Sequence, residues 1–169
     1  MIRALLLSLT TLISACTQQQ SEPPVPDTSG ERLLATVPPG WHRIYQLNGE
    51  TTRLADYVKE GESSAEWSTR LSFESYQSKD INADPVTLLT NEAQEDMSRC
   101  NFVQHFNVFS GYENNYETSV RLFLCGNNAF VGKGEVKLVK MIRGSENYYS
   151  VRIVKRIPAF EVSKPEFTD

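Results

Sequence analysis

The side chains most able to do chemistry in this chain are few. It has three cysteines, Cys16, Cys100 and Cys125, and two histidines, His42 and His105. A zinc site would gather them as C-x-x-C or H-E-x-x-H, and neither spacing occurs. A Ser-His-Asp triad needs an exposed serine beside a positioned imidazole, and no G-x-S-x-G elbow presents one. His42 follows Trp41 at the start of an extended run and His105 sits inside another, so both read as strand residues. Gly132-Lys133-Gly134 lacks the G-x-x-x-x-G-K-[ST] spacing of a phosphate loop, and an extended run follows it rather than a helix, so it reads as a turn. Glu60, Glu62 and Glu66 are the carboxylates that could flank a glycosidic bond, but they lie in a polar turn and read as solvated surface. The sequence therefore assigns no catalytic residue, no metal and no cofactor.

Cys16 belongs to a different chemistry. Arg3 precedes an apolar run from Ala4 to Ile13, and Ser14-Ala15 leads into the cysteine. The run is about half of the roughly 20 residues that a membrane-spanning helix needs, which fits a cleaved signal. Leu12-Ile-Ser-Ala-Cys16 resembles the bacterial lipobox. The resemblance implies a signal peptide over residues 1–15, a diacylglycerol on the Cys16 sulfur and a membrane anchor through that lipid. Thr17 rather than Asp after the cysteine implies the outer membrane, with the domain facing the periplasm.

With Cys16 taken by lipid, Cys100 and Cys125 remain as an even pair in an exported chain. An oxidising compartment favours joining them over leaving two buried thiols. The net charge of −4, with 22% charged and 40% hydrophobic residues, is that of an ordinary folded protein. A mildly acidic chain without a concentrated basic surface argues against a nucleic-acid partner.

Residues 16–32, rich in Gln, Pro and Ser, have little to bury and read as a flexible tether. A single domain is expected over residues 33–158, with 159–169 as a loose tail. Asn48-Gly49 is a strong hairpin signal because both residues tolerate positive φ. Extended runs are expected at 41–47, 51–58 and 67–73. The one main helix, about 84–100, opens with Asp84 as N-cap and Pro85 at the first helical position. Val86, Leu89, Ala93, Met97 and Cys100 recur at helical spacing and predict its buried face, with Asn91, Glu92, Glu95, Asp96 and Arg99 mostly on the wet side. Further strands are expected at 102–109, 116–124, 135–142 and 148–157, with turns at 110–115 and 144–147. Strands joined by short turns must be antiparallel. The expected fold is α+β, a twisted antiparallel sheet of six to seven strands with one helix packed on it. That arrangement resembles the PsbP-type fold.

Ala55-Asp-Tyr-Val-Lys-Glu-Gly-Glu62, then Trp67, and Tyr149-Ser-Val151 near the end are similar to a pattern in small, uncharacterised proteobacterial exported proteins. Lys59 stands where that pattern has proline. The resemblance spans about residues 41–157 and implies the same fold and cysteine pair, but no catalytic residue.

Two compositional features point to contact surfaces. The last hairpin collects Lys133, Lys137, Lys140, Arg143, Arg152, Lys155 and Arg156, which fits either a sheet face kept free of aggregation or a patch for an anionic partner. Tyr112, Tyr116, Tyr148 and Tyr149 gather near turns, and tyrosine contributes large area at low entropy cost. The candidate partner-binding set is therefore Tyr112, Tyr116, Tyr148, Tyr149, Lys140, Arg143 and Arg152. Ser110-Gly-Tyr112 also resembles the loop that periplasmic lysozyme inhibitors insert into their target. The expected function is a non-enzymatic, outer-membrane-anchored accessory or binding module whose partner the sequence does not name, an envelope protein being one candidate. The alternatives are an envelope hydrolase with an unfamiliar site and an inhibitor of a lysozyme or toxin.

Overall fold

The computed structural model describes residues 30–78 and 81–161; the Cys16 expectation lies outside them. The elements are β1 (Trp41–Asn48), β2 (Thr52–Lys59), β3 (Thr69–Gln77), α1 (Pro85–Met97), β4 (Val103–Glu113), β5 (Tyr116–Asn128), β6 (Lys133–Arg143) and β7 (Asn147–Ile157). All seven strands form one antiparallel sheet in the order β1-β2-β3-β7-β6-β5-β4. The chain leaves the middle of the sheet after β3, runs through α1, and returns at the far edge as β4. The α+β expectation holds, with α1 lying over β4, β5 and β6.

Register sorts the side chains onto two faces, because directly opposed residues point the same way. The helix-side face carries Glu74 and Tyr76 of β3, Tyr148, Ser150, Arg152 and Val154 of β7, Lys137, Val139 and Met141 of β6, and Arg121 and Phe123 of β5. Its core has two parts. Leu89 and Ala93 of α1 pack on Phe123, Val139, Met141 and Tyr148. Val58, Trp67 and Val154 form a second cluster beyond the helix, with Ile44 against it.

The helix begins as expected. The Asp84 carboxylate accepts from the Thr87 N–H at 2.7 Å, and Pro85 fills the first position. Its end and its face differ from expectation. The helix stops at Met97, with Ser98 as C-cap, and Cys100 lies beyond it in an isolated bridge with Asn128. Val86 and Met97 are 40% and 60% exposed, whereas Asp96 is 5% exposed. The helix is turned so that Leu89, Glu92, Ala93 and Asp96 face the sheet. The strands below offer Lys137, Arg121 and Arg152, and two carboxylates meeting buried cations outweigh two more apolar contacts.

The Asn48-Gly49 hairpin forms, but neither residue takes positive φ; the Gly49 N–H donates to Thr52 O at 2.9 Å across a three-residue connection. The tight two-residue turn falls at Asn114 and Asn115, with φ of 50° and 67°. Positive φ at both positions matches the twist of the flanking strands, as in a type I′ turn. Strand β4 therefore runs on to Glu113, and Ser110, Gly111 and Tyr112 are ladder residues opposite Ser119, Thr118 and Glu117 rather than a protruding loop.

Both edge strands carry a register shift, between Arg43 and Tyr45 in β1 and between Asn107 and Phe109 in β4. Such bulges interrupt the row of free backbone groups that would otherwise invite another strand.

The domain extends past both expected boundaries. The Phe160 N–H donates to Gly126 O at 2.9 Å. A Cβ at Gly126 would stand 2.6 Å from Phe160 O, and one at Gly134 2.8 Å from Pro158 O, so glycine is what lets the end of the described chain cross the sheet there. At the other boundary, Glu31 caps the β6–β7 turn. Its carboxylate accepts from the Ser145 N–H at 2.9 Å and the Glu146 N–H at 3.2 Å, with Asn147 N at 3.4 Å, and its carbonyl accepts from the Tyr149 hydroxyl at 2.9 Å. Burial acts to raise the Glu31 pKa, but these donors outweigh it and hold the group below its ordinary 4.5. A carboxylate with a depressed folded-state pKa stabilises the fold above the unfolded value and loses that contribution as pH falls through the folded one. The melting temperature of Glu31→Gln should therefore lie below that of the wild type at neutral pH, and the gap should close in acid below about pH 4. A gap that is the same at neutral pH and in acid would show that the capping charge contributes nothing.

Candidate functional site: a charged cleft beneath the helix

A cleft of about 480 Å³ opens between α1 and strands β3, β7 and β6. Charge dominates it. Lys137 Nζ lies 2.7 Å from both Glu92 Oε1 and Asp96 Oδ2. Asp96 also receives Arg99, with Nη2 at 2.6 Å and Nε at 3.0 Å from Oδ1. Arg152 links Glu92, with Nε at 3.2 Å, to Glu74, with Nη1 at 3.9 Å. The Arg152 Nε–H makes no aligned hydrogen bond, so the Glu92 contact is ionic.

The network continues beyond the helix. Arg156 Nε stands 3.5 Å from Glu135 Oε1, and Arg70 Nη1 stands 3.9 Å from Asp56 Oδ2. The guanidinium carbons of Arg156 and Arg70 lie 3.7 and 4.8 Å from the Trp67 ring centre. Cations over an indole ring gain electrostatic attraction and keep their polar edges free. Lys137 makes the same use of Phe123, at 4.6 Å.

Periodicity explains why these groups meet. Glu92 and Asp96 are four apart and share one helix face. Arg70 and Glu74 alternate along β3, and Arg152 and Arg156 along β7, so each pair points to the helix side. The result is neutralisation in place: Arg70, Arg99, Lys137, Arg152 and Arg156 are each matched to a carboxylate among Asp56, Glu74, Glu92, Asp96 and Glu135. Burial raises the Glu74 pKa against the pull of Arg152, with Glu92 and Asp56 adding to the rise. Burial lowers that of Arg70. No histidine, serine or free thiol is among the lining residues, because Cys125 is bonded to Cys100 with a Cα–Cα distance of 5.5 Å. Among the described residues no group of three or more His, Cys, Asp or Glu side chains is placed to hold a metal ion.

Comparison with family models, curated proteins and solved structures finds no match to this chain.

The structure disperses the residues that sequence singled out. Tyr112 and Tyr116 are 76% and 41% exposed at the tip of the β4–β5 hairpin. Tyr148 is fully buried, stacked on Tyr76 at 5.5 Å, and its hydroxyl donates to Ala83 O at 2.6 Å. Tyr149 is closed over by Glu31. Neither is therefore open to a partner: the last hairpin lies in the centre of the sheet, where both of its faces are covered at that end. Lys140 and Arg143 face Glu113 and Glu117, and Arg152 is committed to the cleft. His42 and His105 stand on the two opposite edge strands, too far apart to act together. Glu62 braces its turn, since its carboxylate accepts from Ser68 through both N–H and hydroxyl, which lowers its pKa. Lys133 opens β6 directly after Gly132, whose φ is +63°, so no helix follows the Gly-Lys-Gly run.

The opposite face of the sheet has a different character. A register row crosses six strands there: Tyr57, Leu71, Ile153, Leu138, Leu122 and Phe106. Ile153, Leu138 and Phe106 are 40%, 37% and 43% exposed, and among the described residues no helix or strand lies over this end of the row. In the neighbouring row Phe109 and Val120 continue the apolar surface as far as Lys140, and Val151 resumes it beyond.

Proposed function

We propose that the chain is an exported lipoprotein, anchored through Cys16 in the outer membrane and facing the periplasm, that works as a non-enzymatic binding module. The observation that carries the reading is the apolar row ending in Ile153, Leu138 and Phe106, which remains uncovered in a domain whose titratable cleft is already neutralised. Exposed apolar surface that continues across several strands marks interaction sites more often than scattered single residues do. Tyr116 and Lys140 share this face by register and keep their place in the proposed contact set, whereas Tyr112 and Arg143 both lie opposite Glu117 and point to the helix side.

A photo-crosslinking phenylalanine analogue at Leu138, introduced in living cells, tests the reading. Adducts are expected there and not at Met97 on the outer side of α1. Equal adducts at both positions, or none at Leu138, would remove the binding surface. Cys16→Ser tests the anchor separately: it should accumulate as uncleaved precursor, and normal cleavage with normal membrane retention would overturn the assignment.

One observation favours a second reading, an envelope hydrolase. A carboxyl group pushed upward in a cleft, as Glu74 is, has what a general acid needs. Its partner Arg152 is fixed by two carboxylates, and the other carboxylates Glu92, Asp96 and Glu135 are already engaged by cations, which favours the binding module. Loss of a measured hydrolytic activity in Glu74→Gln, with the fold intact, would reverse that order.

A further inference from the structure

We propose that the uncovered face of the sheet lies against an anionic bilayer surface, so that the anchored domain rests on the membrane rather than standing off it. This deepens the binding-module reading and rests on its membrane anchor. Charge is the first argument. The protein is acidic, with a net charge of −4. Yet register and alternation place Arg43, Arg53, Lys59, Lys140 and Lys155 on the uncovered face, and of the carboxylates in the strands only Glu113 shares it, already paired with Lys140. The acids of the domain's ion-pair network lie on the helix side with their cations. An apolar row flanked by lysine and arginine, with Lys140 in the next row between Val120 and Val151, is the pattern that anionic headgroups over acyl chains complement. A second copy of the chain would bring another cation-rich face to it.

The second argument is where the chain enters. Tyr149 lies on the uncovered face, since it pairs with Ile142 and Ser75, and its hydroxyl holds the Glu31 carbonyl. The segment from Cys16 therefore joins the domain at a corner of the same face that carries the apolar row. Cys16 and Glu31 are fifteen positions apart, a reach of at most about 50 Å when extended. That length lets the face lie flat on the bilayer that holds the lipid.

The test uses the mature, full-length protein in phosphatidylcholine vesicles with and without phosphatidylglycerol, carrying a lipid with a photoreactive acyl chain. With phosphatidylglycerol present, label should land on Phe106, Leu138 and Ile153 and be sparse on Val86 and Met97 of α1. The double variant Lys59→Glu/Lys155→Glu should lose about tenfold or more of the face label, at an unchanged melting temperature, while still floating with the vesicles through its lipid. Equal labelling of α1 and the sheet face, or labelling indifferent to phosphatidylglycerol, overturns the proposal. So does a protein–protein crosslink joining the faces of two copies in place of lipid label. Flotation scores the anchor independently. A chain without lipid that floats only with anionic vesicles and labels on this face keeps the face and removes the anchor. One that floats on both compositions with scattered label keeps the anchor and removes the face, and one that never floats removes both.

Discussion

Lys137→Met is expected to lower the unfolding free energy by about 3–5 kcal/mol, the cost of breaking a buried ion pair from one side. Lys137 is 8% exposed, and its ammonium group sits 2.7 Å from two carboxylates whose side chains are 13% and 7% exposed. Methionine keeps the packing over Phe123 but leaves Glu92 and Asp96 facing each other with only the off-axis Arg152 and the half-exposed Arg99 to balance them. The loss should be read from urea unfolding at constant m-value. The triple variant Lys137→Met/Glu92→Met/Asp96→Leu separates charge from shape. With the buried ammonium and both of its carboxylates gone together, it should recover most of the loss, since apolar replacement of a buried ion-pair cluster is often neutral or better, and of the two cations left behind Arg99 is half-exposed and Arg152 keeps Glu74. A single variant as stable as the wild type would show that the network is solvated and carries no structural weight. A triple variant no better than the single one would show that the loss came from packing.

That network was the part of the molecule least legible in the sequence. The strands announced themselves by alternation, as in Thr69, Leu71 and Phe73 or Tyr116, Thr118 and Val120, and the helix start by Asp84-Pro85. The helix face did not, because apolar spacing decides it only when the opposing surface is apolar. Val86 and Met97 fit the periodic stripe, but Glu92 and Asp96 had partners on β6 and β7, more than forty positions away in sequence. The signal was present as a surplus of cations in the last hairpin; Lys137, Arg152 and Arg156 were the counter-charges of an acidic helix and strand. The tyrosines misled for a related reason. Tyr148 and Tyr149 neighbour a turn in sequence, but β7 lies between β3 and β6, so one ring goes into the core and the other beneath the incoming chain at Glu31. The uncovered apolar row was equally hidden. Ile153, Leu138 and Phe106 look like core residues until the order of the strands shows that α1, the one helix among the described residues, covers the other side.

Removing the Cys100–Cys125 disulfide should cost about 3–4 kcal/mol, from the loop-closure entropy of a crosslink whose cysteines are 25 positions apart. The double variant Cys100→Ala/Cys125→Ala is then expected to melt roughly 10 °C lower. The position of the bond predicts more than a uniform loss. Cys100 lies just after α1, and Cys125 sits on β5 beneath the cleft, so the bond ties the end of the helix to the sheet. The helix has few other ties. Leu89 and Ala93 are its buried apolar residues beyond Pro85, with Leu88 partly buried beside them; its ends hold the exposed Val86 and Met97, and Glu92 and Asp96 make the rest of its inner contacts ionic. The sheet, by contrast, is held by ladders between every neighbouring pair of strands. Without the disulfide, α1 should become the first unit to open, and its amides should exchange at a free energy well below that of β6 and β7 in native-state hydrogen exchange. The wild-type protein reduced under denaturing conditions and refolded with its thiols alkylated should show the same order. Helix amides that exchange together with the central strands, at the global unfolding free energy, would mean that the ion pairs beneath α1 hold it down without the bond.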